Sequence, residues 1–295
     1  MIMHEEADSY LGQFIPLQYH FSMLEDKNRM TSFKAAIDYV VTPGCKVLDL
    51  GGGTGILSWF AAAKADKVWC VELNPDLVST SRQLLANNCN GHKVEVIHAN
   101  AFDYLPPEPV DVMICEMINV AMLREKQVEM VESFKDRYHK RFGNQQPLLI
   151  PTAAVMAVQP LQQDFSFEGF HAPISMIQDL SGKLEGCIEL AEPSVYSILD
   201  FTQQTDCRIA WDGSFRITQT GTVSALRFIT KNILALLVNK NSTIDWLNRY
   251  MVLPLNTPVT VQSGDVLKVS LAYHAGGSIR SLQNSLHAEV VDHSS

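Results

Sequence analysis

The chain has 295 residues, enough for one large domain or two of ordinary size. It is 46% hydrophobic and 19% charged, which excludes a disordered chain, and 32 acidic against 23 basic residues give a net charge of −9. That balance disfavours nucleic acid as the main partner, because phosphate binding needs clustered Lys and Arg, and it admits a cationic substrate.

The chain begins with an acidic stretch and lacks the basic-then-apolar order of a secretion signal. No apolar run approaches the roughly 20 residues that cross a bilayer, so no membrane association is expected. Cysteines 45, 70, 89, 115, 187 and 207 are scattered, with no CxxC pair. This argues against a disulfide framework or a metal knuckle and for a reduced, cytoplasmic protein.

From residue 32 to 150, apolar strands alternate with helical patterns. Ser32 is positioned to cap a helix running to about Val41, ended by Pro43-Gly44. Strands are expected at 47–50, 67–72, 94–97, 110–115 and 148–150. Helices are expected at 56–65, from Asn74-Pro75 to about Asn87, and along the face of Leu123, Val131, Phe134 and Tyr138 to Gly143. This alternation predicts a Rossmann-like α/β fold, a parallel sheet with helices on both faces. After Pro151 the pattern becomes short strands at 154–158, 214–217, 224–229, 234–238, 259–261, 266–272 and 286–291, separated by turn signals. They predict an antiparallel β-sandwich or barrel. Residues 161–193 are ambiguous, with a helix expected near 174–180. The domain plan is an N-terminal helical segment at 1–31, a nucleoside-binding domain at 32–150, and a second domain at 151–295.

Strand one runs through Asp49 into Gly51-Gly52-Gly53-Thr54-Gly55, and strand two ends in Glu72, an acid placed to accept both hydroxyls of a ribose. A dinucleotide turn of the G-x-G-x-x-G kind needs a third glycine where Ile56 stands. A G-x-G-x-G turn with an acid two residues before it resembles the class I S-adenosylmethionine-dependent methyltransferases. Asp49 then suits a ligand whose sulfonium and amino groups are positive. Asn100-Ala101 falls where this superfamily places its adenine contact. The Asn100 amide suits an adenine edge, and a plain turn residue is an equal reading.

Strand four ends at Glu116, and Glu125 follows nine residues later. Two glutamates at this spacing after strand four, with the 47–58 motif, Met23-Leu24 followed by Asp26 and Arg29, and Leu149-Ile150-Pro151, resemble the protein arginine methyltransferase family. The resemblance implies that Glu116 and Glu125 hold a substrate guanidinium and that Arg29 holds the cofactor carboxylate. It places Asp245 and Trp246 in a substrate-binding loop and implies a homodimer, with 161–193 as the contact arm. A planar guanidinium held by two carboxylates is good chemistry without the name. The sequence departs from the family around the acceptor. Met117-Ile118-Asn119 replaces the usual Trp-Met-Gly, Asp245 replaces a His, and Asp8-Ser9-Tyr10 only faintly echoes the N-terminal tyrosine pair.

The expected function is an N-methyltransferase acting on a guanidino compound or another cationic amine, peptide or small molecule. A small-molecule N- or O-methyltransferase and a silent binding protein are the alternatives. No metal site is read. His20, His98 and His274 have no partner spacing and are read as ordinary structural residues.

Overall fold

A computed structural model describes residues 17–180 and 186–291, so the Asp8-Ser9-Tyr10 echo lies outside the described residues. Helices α1 (Leu17–Glu25) and α2 (Lys27–Val40) come first. The cap of α2 is Asp26, whose carboxylate accepts from the Arg29 N–H at 2.9 Å, so the helix starts earlier than Ser32. Both residues suit a cap. The acid that satisfies a free N–H of the first turn is the one used.

Five strands form a wholly parallel sheet: β1 (Lys46–Leu50), β2 (Lys67–Glu72), β3 (Val94–His98), β4 (Val112–Cys115) and β5 (Leu148–Ile150), in the order β3-β2-β1-β4-β5. Helices α3 (Ile56–Ala62), α4 (Pro75–Ala86) and α5 (Gln127–Phe142) connect them. Asn74 caps α4 through the Asp76 N–H, with Pro75 at its first position, as the sequence indicates. Strand order reverses between β1 and β4, and the crevice beyond their carboxyl ends is where such sheets bind ligands.

The core is Val, Leu and Ile from both faces of the sheet together with Phe33, Phe134 and Tyr138. The hydroxyl of buried Tyr138 accepts from the Val110 N–H at 2.8 Å and approaches the Val110 carbonyl at 3.2 Å. Tyr138→Phe strands that buried N–H, so a loss of about 1–3 kcal/mol is expected. Thermal unfolding checks this as a lowered midpoint with the cofactor affinity unchanged.

After β5 the chain becomes antiparallel. Seven strands build the larger sheet: β6 (Ala153–Gln163), β9 (Met176–Gln178), β10 (Cys187–Glu189), β11 (Ser194–Asp200), β13 (Gly221–Leu237), β14 (Ser242–Leu247) and β15 (Tyr250–Val261). Strands β12 (Arg208–Arg216), β16 (Val266–His274) and β17 (His287–Val290) form a second sheet, and β7 (Ser166–Phe167) and β8 (Phe170–His171) a small hairpin. Helix α6 (Ile279–Ser285) leads into β17.

Two expectations are corrected here. The stretch near 174–180 forms strand β9, paired with β15, and not a helix. The strands expected at 224–229 and 234–238 are one strand, β13, which runs unbroken through Lys231 and Asn232. Asn232 is fully buried and its amide reaches the Trp246 carbonyl, so a polar residue sits inside the sheet between the two stretches expected as separate strands.

Candidate active site

The crevice at the β1/β4 switch opens into a cavity of about 320 Å³. Its walls include Arg29, Asp49, Gly51, Gly53, Glu72, Asn100, Ala101, Glu116 and Glu125, nine of the twelve residues singled out in the sequence.

The glycine turn forms one side. Gly51 and Gly53 take φ of +76° and +54°, a region that side chains disfavour. A β-carbon on Gly53 would lie 2.9 Å from the His20 ring, and one on Gly51 would lie 3.1 Å from Met117, so side chains here would intrude on the cavity. Gly55 stands outside the cavity walls as the first residue before α3. It allows close packing, since a β-carbon there would meet Leu85 at 3.1 Å.

Glu72 is 8% exposed. One of its oxygens accepts from the Gly53 N–H at 2.9 Å and the other from the Asn74 N–H at 2.8 Å. Each oxygen keeps a further lone pair for a diol. Asp49, 1% exposed, accepts from the Ser58 hydroxyl at 2.6 Å, and burial pushes its carboxyl up to about 6 against that bond. The Asn100 carbonyl oxygen accepts from the Phe102 N–H and its amide donates to Asp103, so the side chain closes its own turn while lining the cavity.

Across the crevice stand the two glutamates. The Glu116 side chain is 11% exposed and pairs with the Arg29 guanidinium through one oxygen. Its other oxygen is buried and has no partner among the described residues, and the same is true of the Arg29 Nε. Among the described residues the site thus offers a buried acceptor on Glu116 and a buried donor on Arg29. Burial pushes the Glu116 carboxyl up to about 7, with Arg29 opposing and Glu125 and Asp49 adding to the rise. Glu125 is also raised, first by burial, against the pull of Arg29, a hydrogen bond from Asn119, and Arg124.

The loop between them is strained. Ala121, Met122 and Arg124 all have positive φ (57°, 53° and 67°), each at a cost of order 1–3 kcal/mol. The antiparallel half holds it in place. The Ala121 N–H donates to the Thr230 hydroxyl at 2.8 Å and its carbonyl accepts from the Tyr273 hydroxyl at 3.0 Å. Gly276 N–H reaches the Met122 carbonyl, and Arg124 N–H reaches that of Gly277. Backbone strain held in this way is characteristic of functional loops.

Asp245 and Trp246 are not cavity walls. Asp245 lies 3.3 Å from the Lys231 ammonium and accepts from the Thr243 hydroxyl. Trp246 is buried against Phe33, with the Arg29 guanidinium 5.1 Å above its ring, so it bears on the site through Arg29. His20, read as an ordinary structural residue, does line the cavity, as do Met117, Arg124, Lys126 and Glu129. A lone histidine in a helix carries no spacing signal, and only the fold brings it onto Gly53.

These residues fit S-adenosylmethionine: an acid for the ribose, a glycine turn open to the ligand, and an Arg29 donor for its carboxylate. Residues 47–138 match the family model described as a methyltransferase domain. An uncharacterised protein of Methanocaldococcus jannaschii is 29% identical over 91% of this chain and 96% of its own length. Protein arginine N-methyltransferase 10 of Arabidopsis thaliana is 35% identical over 53% of this chain, but the match spans only 40% of that enzyme. Among solved structures, the Arabidopsis thaliana protein arginine methyltransferase 10 superposes with a TM-score of 0.72 at 20% identity, covering 89% of each chain. The Trypanosoma brucei PRMT1 enzyme–prozyme heterotetramer with AdoHcy gives 0.72 at 17% identity, covering 92% of this chain and 96% of that one.

Proposed function

We propose that this chain, a class I S-adenosylmethionine-dependent methyltransferase resembling the protein arginine methyltransferases, methylates a cationic nitrogen held between Glu116 and Glu125. The acceptor is a guanidino group or an amine. The observation that carries this reading is the buried oxygen of Glu116, without a partner among the described residues, in the same cavity as Glu125 and the glycine turn.

S-adenosylmethionine, when bound, supplies an electrophilic methyl group. The residues of the chain do the positioning. Glu72 takes the ribose hydroxyls, Gly51 and Gly53 leave room for the ligand, and Arg29 donates to its carboxylate while holding Glu116. Asp49 favours the cationic end, and Ala101 and Asn100 lie on the adenine side. Glu116 and Glu125 accept N–H bonds from the acceptor, orient one nitrogen at the crevice, and concentrate its positive charge away from that nitrogen. Methyl transfer to a held nucleophile is governed chiefly by such alignment. A carboxylate raised toward neutrality is also suited to take the departing proton.

Isothermal titration with S-adenosylhomocysteine, followed by methylation assays on arginine peptides and free arginine, tests the reading. Tight product binding and a methylated guanidino nitrogen are expected. Methyl transfer to a hydroxyl alone would favour the small-molecule O-methyltransferase alternative, which the missing Trp-Met-Gly supports.

The pH dependence follows from Glu116. A protonated carboxyl neither attracts a cation nor accepts on both oxygens. Its ordinary value is raised to about 7 by burial, so the neutral form prevails below that pH and the ionised form above it. The acceptor kcat/KM, which reports the free enzyme, is expected to rise with pH through about 7. A profile flat from pH 6 to 8 would remove Glu116 from acceptor binding.

We also read the chain as a homodimer, with 151–295 as the substrate and dimer domain, in a reducing, cytoplasmic setting. The support is an exposed apolar surface on two separate elements. Tyr19 and Phe21 are exposed on α1, and Phe167, Ile174, Ile177 and Phe170 (73% exposed) on the β7–β9 region. Patches of this kind mark association surfaces. All six cysteines are free thiols, and no described helix is long and apolar enough to cross a membrane. Light scattering should give twice the chain mass, and Phe170→Asp with Ile174→Asp should give the monomer.

A further inference from the structure

We infer that Gln127 is a positioning residue for methyl transfer, its side-chain amide setting where the two acceptor carboxylates stand. The inference rests on the acceptor reading above. Strand β4 pairs with β1 as far as Cys115, but with β5 only as far as Ile114. The sheet therefore runs out on the β5 side just before Glu116. There the Gln127 side chain supplies the missing neighbour. Its oxygen accepts from the Met117 N–H at 2.8 Å and its amide donates to the Cys115 carbonyl at 2.7 Å. The Cys115 thiol approaches the same oxygen at 3.5 Å.

Glu116 lies between these two peptide groups, so one amide fixes the backbone on both of its sides. Gln127 is also the first residue of α5 and follows Glu125 by two positions. The same buried side chain, 1% exposed, thus ties the outgoing end of β4 to the start of the helix that follows the second glutamate. It is not among the cavity walls and acts through Glu116 and Glu125 rather than on a substrate. The site needs a group that donates and accepts at once. An amide does both, methionine cannot donate and accepts only weakly, and a carboxyl does both only when protonated.

The test uses Gln127→Met and Gln127→Glu in the full chain. For Gln127→Met, acceptor kcat/KM is expected to fall at least about 30-fold while the S-adenosylhomocysteine Kd stays within about threefold. A carboxyl buried at this position stays largely neutral near pH 7 and keeps both bonds, so Gln127→Glu should retain more activity than Gln127→Met. A second readout needs no acceptor. The carboxyl carbon signal of Glu116, assigned by its loss in Glu116→Gln, is titrated by NMR, and its midpoint should move in Gln127→Met. Acceptor kcat/KM within threefold of the parent together with an unmoved Glu116 midpoint overturns the inference. A parallel loss of cofactor affinity overturns it too, because the damage is then general. If the parent methylates no guanidino or amine compound, the acceptor reading falls. A moved Glu116 midpoint then still sustains the positioning role, and an unmoved one ends it.

Discussion

Glu116→Gln and Glu125→Gln are each expected to lower kcat/KM for a guanidino acceptor by roughly 10²–10⁴-fold. In the proposed clamp each glutamate makes up to two charge-assisted bonds to the acceptor, worth about 1.5–3 kcal/mol apiece. The glutamine keeps the volume and one acceptor atom but loses the charge. For Glu116 a second loss is added, because its amide no longer neutralises the buried Arg29 guanidinium. Glu125 lies two residues before α5, and its substitution leaves the Arg29–Glu116 pair intact. Both variants should still bind S-adenosylhomocysteine. Steady-state kinetics beside isothermal titration separates the two effects. Turnover within threefold of the parent for Glu125→Gln would point to an oxygen acceptor.

Glu72→Ala is expected to weaken S-adenosylhomocysteine binding by about 100-fold or more. The proposed placement of the ribose on Glu72 implies the loss of two bonds from hydroxyls to a carboxylate, at roughly 1.5–3 kcal/mol each. The Gly53 and Asn74 N–H groups that now donate to Glu72 also lose their acceptor, which loosens the turn. Isothermal titration measures the affinity, and circular dichroism checks that the fold persists. An affinity within threefold of the parent would mean that the ligand does not lie along β2.

The parallel half was legible because its signals are local. The runs inside β2 and β4 are continuous and apolar, that of β1 is broken only by Asp49, and glycine and proline punctuate them. The glycine-turn side of the cavity was legible for the same reason, since Asp49, Gly51, Gly53 and Glu72 sit at positions set by one strand–turn–helix unit and the strand beside it. The antiparallel half was less so. Thr230 and Asn232 are polar but fully buried, so β13 did not alternate as a half-exposed strand does. Strand β9 lies in a stretch of mixed composition, and its pairing with β15 is long-range. Asp245 was placed near a substrate by its loop, whereas its nearest charge is Lys231 on the neighbouring strand β13. His20 and Gln127 were invisible for a different reason. Their places come from what the fold sets beside them, a glycine turn for one and the end of a strand for the other.

Where the transferred methyl lands is the most direct test. The 295-residue chain is incubated with S-adenosylmethionine carrying a ¹³C-methyl group and with free arginine, an arginine peptide and a hydroxyl-bearing analogue of each. NMR of the products then identifies the atom that carries the label. The label is expected on a guanidino or amine nitrogen and is expected to be lost in Glu125→Gln. A label on oxygen, or one on nitrogen that persists undiminished in Glu125→Gln, would contradict it.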